Sequence, residues 1–523
     1  MNKYKFLAPL FIAIVFGLGL YLGTLFLPKN ATQSNDSQVN SKIAAILNII
    51  DYKYVDSVDY QMLLESSIEG MIKKLDPHSQ YIPPKDLDYV NEQLDGQFGG
   101  IGIRFLIHED TLVVTHVLKT SPSRTAGLLA GDRIVNVNDS SLIGMSLTNQ
   151  RVMTMLKGKP NTEVKLKVVR AGKSLGISIT RGIISVNSID ANVMLTKDIG
   201  FIKLSSFTNH SAREFIAAAK ELKGKGMKKL IFDLRNNGGG FLDAAKIISD
   251  QFLNADKLIV YTEGRRTGRV DYVASSKGIL ENVELIILIN SLSASASEIV
   301  AGAIQDNDRG YILGRRSFGK GLVQDQQEFS DGSALRLTIS RYFTPTGRSI
   351  QKPYGADVDY ENDYYQRYQS GELFEKDSLK VNDSLKFTTP KGRVVYGGGG
   401  IYPDYFVPND TLGASYYLTS LYYASAFNQW VFGYLDGKRD KWNDFNSFNQ
   451  SFEVTEPLFN QFIDYASQQL ELERKSADII HSKQVIKNRI KAEIARHLFE
   501  ENGYYQIYLK NDLDVKSAIK KFN

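Results

Sequence analysis

At 523 residues the chain is long enough for more than one domain, and 43% hydrophobic with 23% charged residues is an ordinary globular composition. A net charge of +5 with no concentrated basic stripe argues against a nucleic-acid partner. With no cysteine there are no disulfides, thiolate metal sites or cysteine nucleophile, and the histidines (His78, His108, His116, His210, His481, His497) are scattered without metal-ligand spacing, so no metal or other cofactor is expected.

Residues 6–27 form an uncharged apolar run behind Lys3 and Lys5. About 20 apolar residues span a bilayer, and flanking lysines favour a cytoplasmic N-terminus. The expectation is a bacterial inner-membrane anchor within residues 1–28 and the bulk of the chain in the periplasm. The alternative is a cleaved signal peptide, although a signal has a shorter apolar region and an A-x-A-like site that is not evident here. Residues 29–41 read as a polar linker. Residues 42–95 read as a helical region, with one stripe at Ile43, Ile46, Leu47 and Ile50 and a second helix capped by Asp59. Asp76-Pro77 ends it, because proline disfavours the α conformation before it.

From 96 to 182 the texture is short strands and glycine turns, with helix candidates at 121–128 and 149–156. Gly99-Gly100-Ile101-Gly102-Ile103 is a glycine-rich loop. Its N–H groups suit the carboxylate of a peptide tail that adds as a strand, and Ile101 and Ile103 suit its side-chain pocket. The plain alternative is a glycine hairpin without a ligand. From 183 to 407 strands alternate with helices, the mark of βαβ units. Strands are expected at 200–204, 230–234 and 283–289, and helices at 212–222, 242–252 and after 295. Residues 408–523 are helical and aromatic-rich, with an amphipathic stripe at Val485, Ile486, Ile490, Ile494 and Leu498. This extension packs on the core or forms an oligomer contact.

Three elements carry chemistry. Ser293, Ser295 and Ser297 lie between a buried strand and a helix, where free N–H groups can stabilise an oxyanion; taken alone, serines there are ordinary caps. Lys320 sits between Gly319 and Gly321, where burial would lower its pKa and make the amine a base. Gly314 and Gly319 have phosphate-loop spacing, but Gly321 stands where that loop needs Ser or Thr. Asn237-Gly238-Gly239-Gly240 ends a strand with N–H groups that suit the opposite wall of an oxyanion site.

Seven blocks in order, at residues 75–79 (LDPHS), 233–240 (DLRNNGGG), 293–299 (SASASEI), 305–309 (QDNDR), 318–324 (FGKGLVQ), 342–351 (YFTPTGRSIQ) and 399–404 (GGIYPD), resemble the signatures of the carboxyl-terminal processing (tail-specific) proteases. The resemblance spans about residues 42–407. It implies an α/β multi-domain protein: a ββα (crotonase-like) protease core with an inserted PDZ-like β-rich domain, an N-terminal helical region and a helical C-terminal extension. It implies Ser295 as nucleophile, Lys320 as base and Gln324 as the group orienting that base. The oxyanion donors are implied to be Ala296 and either Gly238 or Gly239. Expected partners are protein or peptide substrates with free C-termini drawn from the envelope, and the membrane through the N-terminal helix, with a homo-oligomer or an adaptor protein left open. The competing readings are a catalytically silent PDZ scaffold and a hydratase- or thioesterase-like enzyme.

Overall fold

The computed structural model describes residues 36–108, 110–355 and 358–522. The chain divides into two compact units, Met1–Leu75 and Asp76–Asn523. The described part of the first is a pair of helices, Asp36–Lys53 and Tyr60–Ile72. The Asp59 side chain accepts the Met62 N–H at 3.0 Å, as its position before the apolar run suggests. The first helix starts inside the stretch read as linker, and no glycine or proline interrupts it up to Lys53. The apolar run at 6–27 lies outside the described residues. Among the described residues no helix is long and apolar enough to cross a membrane. The inner-membrane placement is therefore corrected: no described helix supports an anchor.

The second unit is built around a six-stranded sheet in the order Ile189–Met194, Ile199–Leu204, Lys229–Asp233, Glu284–Ile289, Tyr311–Gly314 and Tyr405–Phe406. The first pair is antiparallel and the others are parallel. Alternate side chains of the central strands serve opposite faces. Leu230, Phe232, Leu285, Ile287 and Ile289 join the core beneath helices Ser211–Gly224, Leu242–Asp250 and Ala296–Asp306. Ile231, Ile286 and Leu288 join a second core with Val515 and Ala518 of the last helix, Leu513–Phe522. Both faces are thus covered, which is why these strands read as nearly continuous apolar runs. A five-stranded sheet flanks this layer. Its Ala334–Phe343 strand pairs with Gln80–Ile82, Leu258–Gly264 and Leu322–Glu328.

Between strands Gln80–Ile82 and Ile189–Met194 in sequence lies an antiparallel sheet with the path Ile103–His108, Thr111–Val117, Arg133–Val137, Glu163–Arg170 and Lys173–Thr180. Val164, Leu166 and Val168 are buried while Glu163, Lys165 and Lys167 are exposed, the period-two alternation of a strand with one wet face. Helix Asn149–Leu156 turns Val152 and Leu156 into the same core. The entry and exit of this module pair with each other, Gln97–Gly100 against Gly182–Ser185. Residues beyond 408 form helices around an aromatic core of Phe427, Trp430, Phe448 and Phe462. The longest, Ser476–Tyr508, carries the stripe read from sequence and is broken at Phe499 and Glu500.

Candidate active site

Ser295 is the N-cap of helix Ala296–Asp306, at the end of the loop leaving strand Glu284–Ile289. Its backbone has φ 56° and ψ −115°, a conformation that costs a non-glycine residue about 1–3 kcal/mol and persists only where neighbours enforce it. The enforcing contacts are visible. The Ser295 N–H donates to the Glu298 carboxylate at 2.9 Å, and the Ser297 hydroxyl donates to the Asn237 carbonyl at 2.9 Å. The Ser293 hydroxyl donates to the Leu234 carbonyl at 2.8 Å. Two hydroxyls of the serine cluster are therefore spent locking the turn, whereas that of Ser295 donates to no described group.

Glu298 organises the site. It is fully buried, and its two oxygens accept from the Ser317 hydroxyl (2.5 Å), Gly319 N–H (2.7 Å), Lys320 N–H (2.9 Å) and Ser295 N–H (2.9 Å). The last two donate to the same oxygen, so one carboxylate fixes the main chain at both Ser295 and Lys320. Burial pushes its pKa up to about 7 against the pull of those donors. The Tyr342 hydroxyl lies 2.7 Å from the Lys320 carbonyl oxygen and 3.1 Å from that of Ser295, sharing its one proton between them.

The Lys320 amine donates to Gln324 Oε1 at 2.9 Å, and the Gln324 amide in turn donates to the His78 carbonyl. Nζ and the Ser295 hydroxyl are not hydrogen-bonded to each other here. Burial lowers the Lys320 pKa from its ordinary value, the Arg336 guanidinium lowers it further, and Asp76 and Glu298 oppose them. His78 is held neutral: burial and then the Lys320 charge depress it to about 4. Asp76 accepts from His78 N–H, Ser79 N–H and the Ser79 hydroxyl at 2.8, 2.9 and 2.6 Å, which fixes the turn that presents the His78 carbonyl.

The glycine turn faces the serine. Gly239 has φ 102°, and a Cβ there would come within 2.7 Å of Ser295 Cβ and 3.0 Å of the Ala296 nitrogen. Its own N–H donates to Asn237 Oδ1 at 2.9 Å. The N–H groups of Gly238 and Ala296 donate to no described group. Of the residues singled out for catalysis, Gly239 packs on Ser295 and Ala296, Glu298 joins the main chain of Ser295 to that of Lys320, and Gln324 is joined to these only through the Lys320 amine. To Glu298, Tyr342 and Asp76 the sequence had assigned no role. For Glu298 a signal was present: Ser followed three residues later by Glu is the capping-box spacing.

Of the segment expected to be a glycine loop, Gly99 and Gly100 belong to strand Gln97–Gly100, paired with Ile183 and Gly182, and only Ile101 and Gly102 lie outside a strand. The Ile101 carbonyl accepts from Ser123 N–H at 3.0 Å and that of Gly102 from Leu118 N–H at 3.1 Å. The N–H groups of Ile101 and Gly102 donate to no described group. Ile103 begins strand Ile103–His108, the edge of its sheet, and Arg104 of that strand donates to Glu501 at 2.7 Å. Ile101 itself is buried in the module's core rather than open to a peptide side chain, while Ile103 is half-buried. Among the described residues no cluster of acidic or histidine side chains is arranged to hold a metal.

Comparison with known proteins matches residues 198–362 to the model of peptidase family S41, residues 99–180 to the PDZ domain, residues 25–85 to the N-terminal domain of the activating protease CtpB, and residues 417–500 to a family of unknown function. A carboxy-terminal-processing protease of Bartonella bacilliformis is 36% identical over 350 residues, covering 65% of this chain and 80% of that protein. A "CtpA-like serine protease" of Staphylococcus aureus is 35% identical over 329 residues, 62% of this chain and 66% of that protein. Among solved structures, the photosystem II D1 C-terminal processing protease is 27% identical, with 60% of this chain and 86% of that one covered at a TM-score of 0.34.

Proposed function

Because the chain belongs to the carboxy-terminal-processing proteases, serine-type peptidases that carry a PDZ domain, we propose that it cuts polypeptides near their C-terminus through an acyl-enzyme on Ser295 with Lys320 as the base. The observation that carries this reading is the joint anchoring of Ser295 and Lys320 on one buried carboxylate, beside an amine whose pKa is depressed.

The neutral Lys320 amine keeps one N–H on Gln324 Oε1, which leaves its lone pair for the proton of a hydroxyl. The reaction requires Nζ within hydrogen-bond reach of Ser295 Oγ. Ser295 then attacks the scissile carbonyl, Lys320 takes the hydroxyl proton and returns it to the leaving amine, and water hydrolyses the ester by the same route. The developing oxyanion is held by the free N–H groups of Ala296 and Gly238. Gly239 leaves the space above Ser295 that a side chain would fill. Of the two glycines, the spent N–H of Gly239 favours Gly238 as donor. The free N–H groups of Ile101 and Gly102 receive the substrate's terminal carboxylate, and its last residues add to strand Ile103–His108. In this assignment residues 96–182 capture the tail and 183–407 cut it.

The test is cleavage of an unstructured protein ending in apolar residues. Ser295→Ala and Lys320→Ala are each expected to lose turnover by about 10⁴-fold or more, as for other nucleophile and base deletions. Tail binding by the wild-type protein with no cleavage would instead identify a silent scaffold.

A further inference from the structure

Two carboxylates from beyond residue 408 reach the catalytic loops: Asp512 meets the base of one, and Asp514 the bases of both. Arg235 lies between strand Lys229–Asp233 and the Gly238 turn. Its guanidinium donates to Asp233 at 2.7 Å, to Asp512 at 2.9 and 3.0 Å and to Asp514 at 2.6 Å. Its main chain is held as well, the N–H by Asp233 at 2.9 Å and the carbonyl by Lys203 at 2.9 Å. Arg315 opens the loop that runs to Lys320, and its guanidinium donates to both oxygens of Asp514 at 2.7 and 2.9 Å. Asp514 is 4% exposed. One buried side chain from the end of the chain thus bridges the arginine at the base of the oxyanion turn and the arginine at the base of the lysine loop.

We infer that Asp514 is a positioning residue for the proteolytic reaction: it holds the Gly238 turn and the Lys320 loop in mutual register through Arg235 and Arg315. The inference rests on the Ser–Lys reading above. Each loop also has grips of its own. Lys320 is held independently by Glu298, and Arg367 grips the Ser317 carbonyl of the same loop at 2.8 Å. Beyond Asp514, the Gly238 turn has the main-chain grips on Arg235, the Asn290 side chain, which accepts the Asn236 N–H at 2.9 Å, and buried Asn237, whose amide donates to the Leu204 carbonyl at 2.9 Å and whose carbonyl accepts from the Ser297 hydroxyl at 2.9 Å and the Ala294 N–H at 3.0 Å. Loss of Asp514 therefore leaves each loop its own grips but removes the buried side chain that joins Arg235 to Arg315, so what it loosens is the register between the loops. The chemical step should suffer while tail capture does not.

The other end of the same helix supplies a control. Lys229 donates to the Phe522 carbonyl at 2.7 Å, at the far end of the strand from Arg235. Lys229→Met loosens the helix without touching either arginine. With the full chain, well below every melting temperature, Asp514→Asn is expected to lower kcat about tenfold with KM within about twofold, less than deletion of an oxyanion donor because it acts at one remove. Lys229→Met is expected to leave kcat within about twofold, as a substitution away from the reacting groups should. The Arg235→Gln/Asp514→Asn double variant should be no slower than the slower single variant, since both break one connection. An unchanged kcat in Asp514→Asn, an equal kcat loss in Lys229→Met, or additive losses in the double variant would each overturn the inference. Ser295→Ala assayed beside them separates this from the parent reading: if that variant still cleaves, the Ser–Lys mechanism fails, whatever Asp514 does.

Discussion

The Ser295 turn and the Ile101-Gly102 segment use the same device with different support. Each frees a pair of N–H groups, Gly238 with Ala296 in one and Ile101 with Gly102 in the other. Around Ser295 the geometry is enforced by buried charge: Glu298 with its donors, and Arg235 with Asp233, Asp512 and Asp514. Around Ile101 it is set by main-chain hydrogen bonds alone. The difference matches what each would hold in the proposed reaction. A transition-state charge is stabilised best by dipoles fixed in advance in a dry site, whereas a tail carboxylate is bound in the ground state and needs only a concave set of donors.

That contrast can be broken or sharpened by substitutions of decreasing effect. Gly239→Ala puts a methyl within 2.7 Å of Ser295 Cβ and 2.8 Å of the Ala294 carbonyl, with backbone on one side that cannot yield. It should lower kcat about 10²–10³-fold, comparable to losing an oxyanion donor, as read in steady-state cleavage. Glu298→Gln comes next. Its amide sets N–H donors against donors already in place and removes charge-assisted bonds each worth about 1.5–3 kcal/mol, so kcat should fall about a hundredfold and the melting temperature should drop with it. Equal activity in this variant would show that the carboxylate does not organise the site.

Gly102→Ala probes the other region. Gly102 has φ 77°, and a Cβ there would lie 2.3 Å from Ser121 Cβ. Tail capture should weaken, raising KM about tenfold for a protein substrate with kcat unchanged, the signature of lost ground-state binding. A short peptide without a tail should be cut as before. The smallest effect is expected from Arg336→Gln. The Arg336 charge disfavours the Lys320 ammonium, so its removal raises the amine's pKa. The base must be neutral, so the rising limb of the pH–rate profile should move to higher pH with its plateau kept.

Much of the site was legible because its chemistry lies in short motifs. The S-A-S-A-S-E block, F-G-K-G and N-G-G-G each place a residue at a strand or helix end, and their union pointed to Ser295 and Lys320. Some blocks turn out to serve packing. Fully buried Arg348 of the T-G-R-S segment donates to Asp306 at 2.7 Å and to Gln305 at 2.8 Å, and Gln305 donates to the Tyr402 carbonyl at 2.9 Å, which ties three blocks into one structural knot. The choice between Gly238 and Gly239 was not legible, since it depends on which N–H the Asn237 side chain consumes. The Asp512 and Asp514 contacts left no local trace either, because they join residues far apart in sequence. Strand positions followed the apolar runs to within a residue or so, as with Lys229–Asp233 and Glu284–Ile289. The membrane anchor inferred from residues 6–27 gained no support from any described helix.

The most direct test of the account is the pH dependence of acylation of Ser295 by a small serine-reactive ester, followed in single turnover so that tail capture does not enter. A desolvated Lys320 acting as base predicts a rising limb with its midpoint below the ordinary lysine value of 10.5, abolished in Lys320→Ala. A midpoint at or above that value, or the same limb persisting without Lys320, would contradict it.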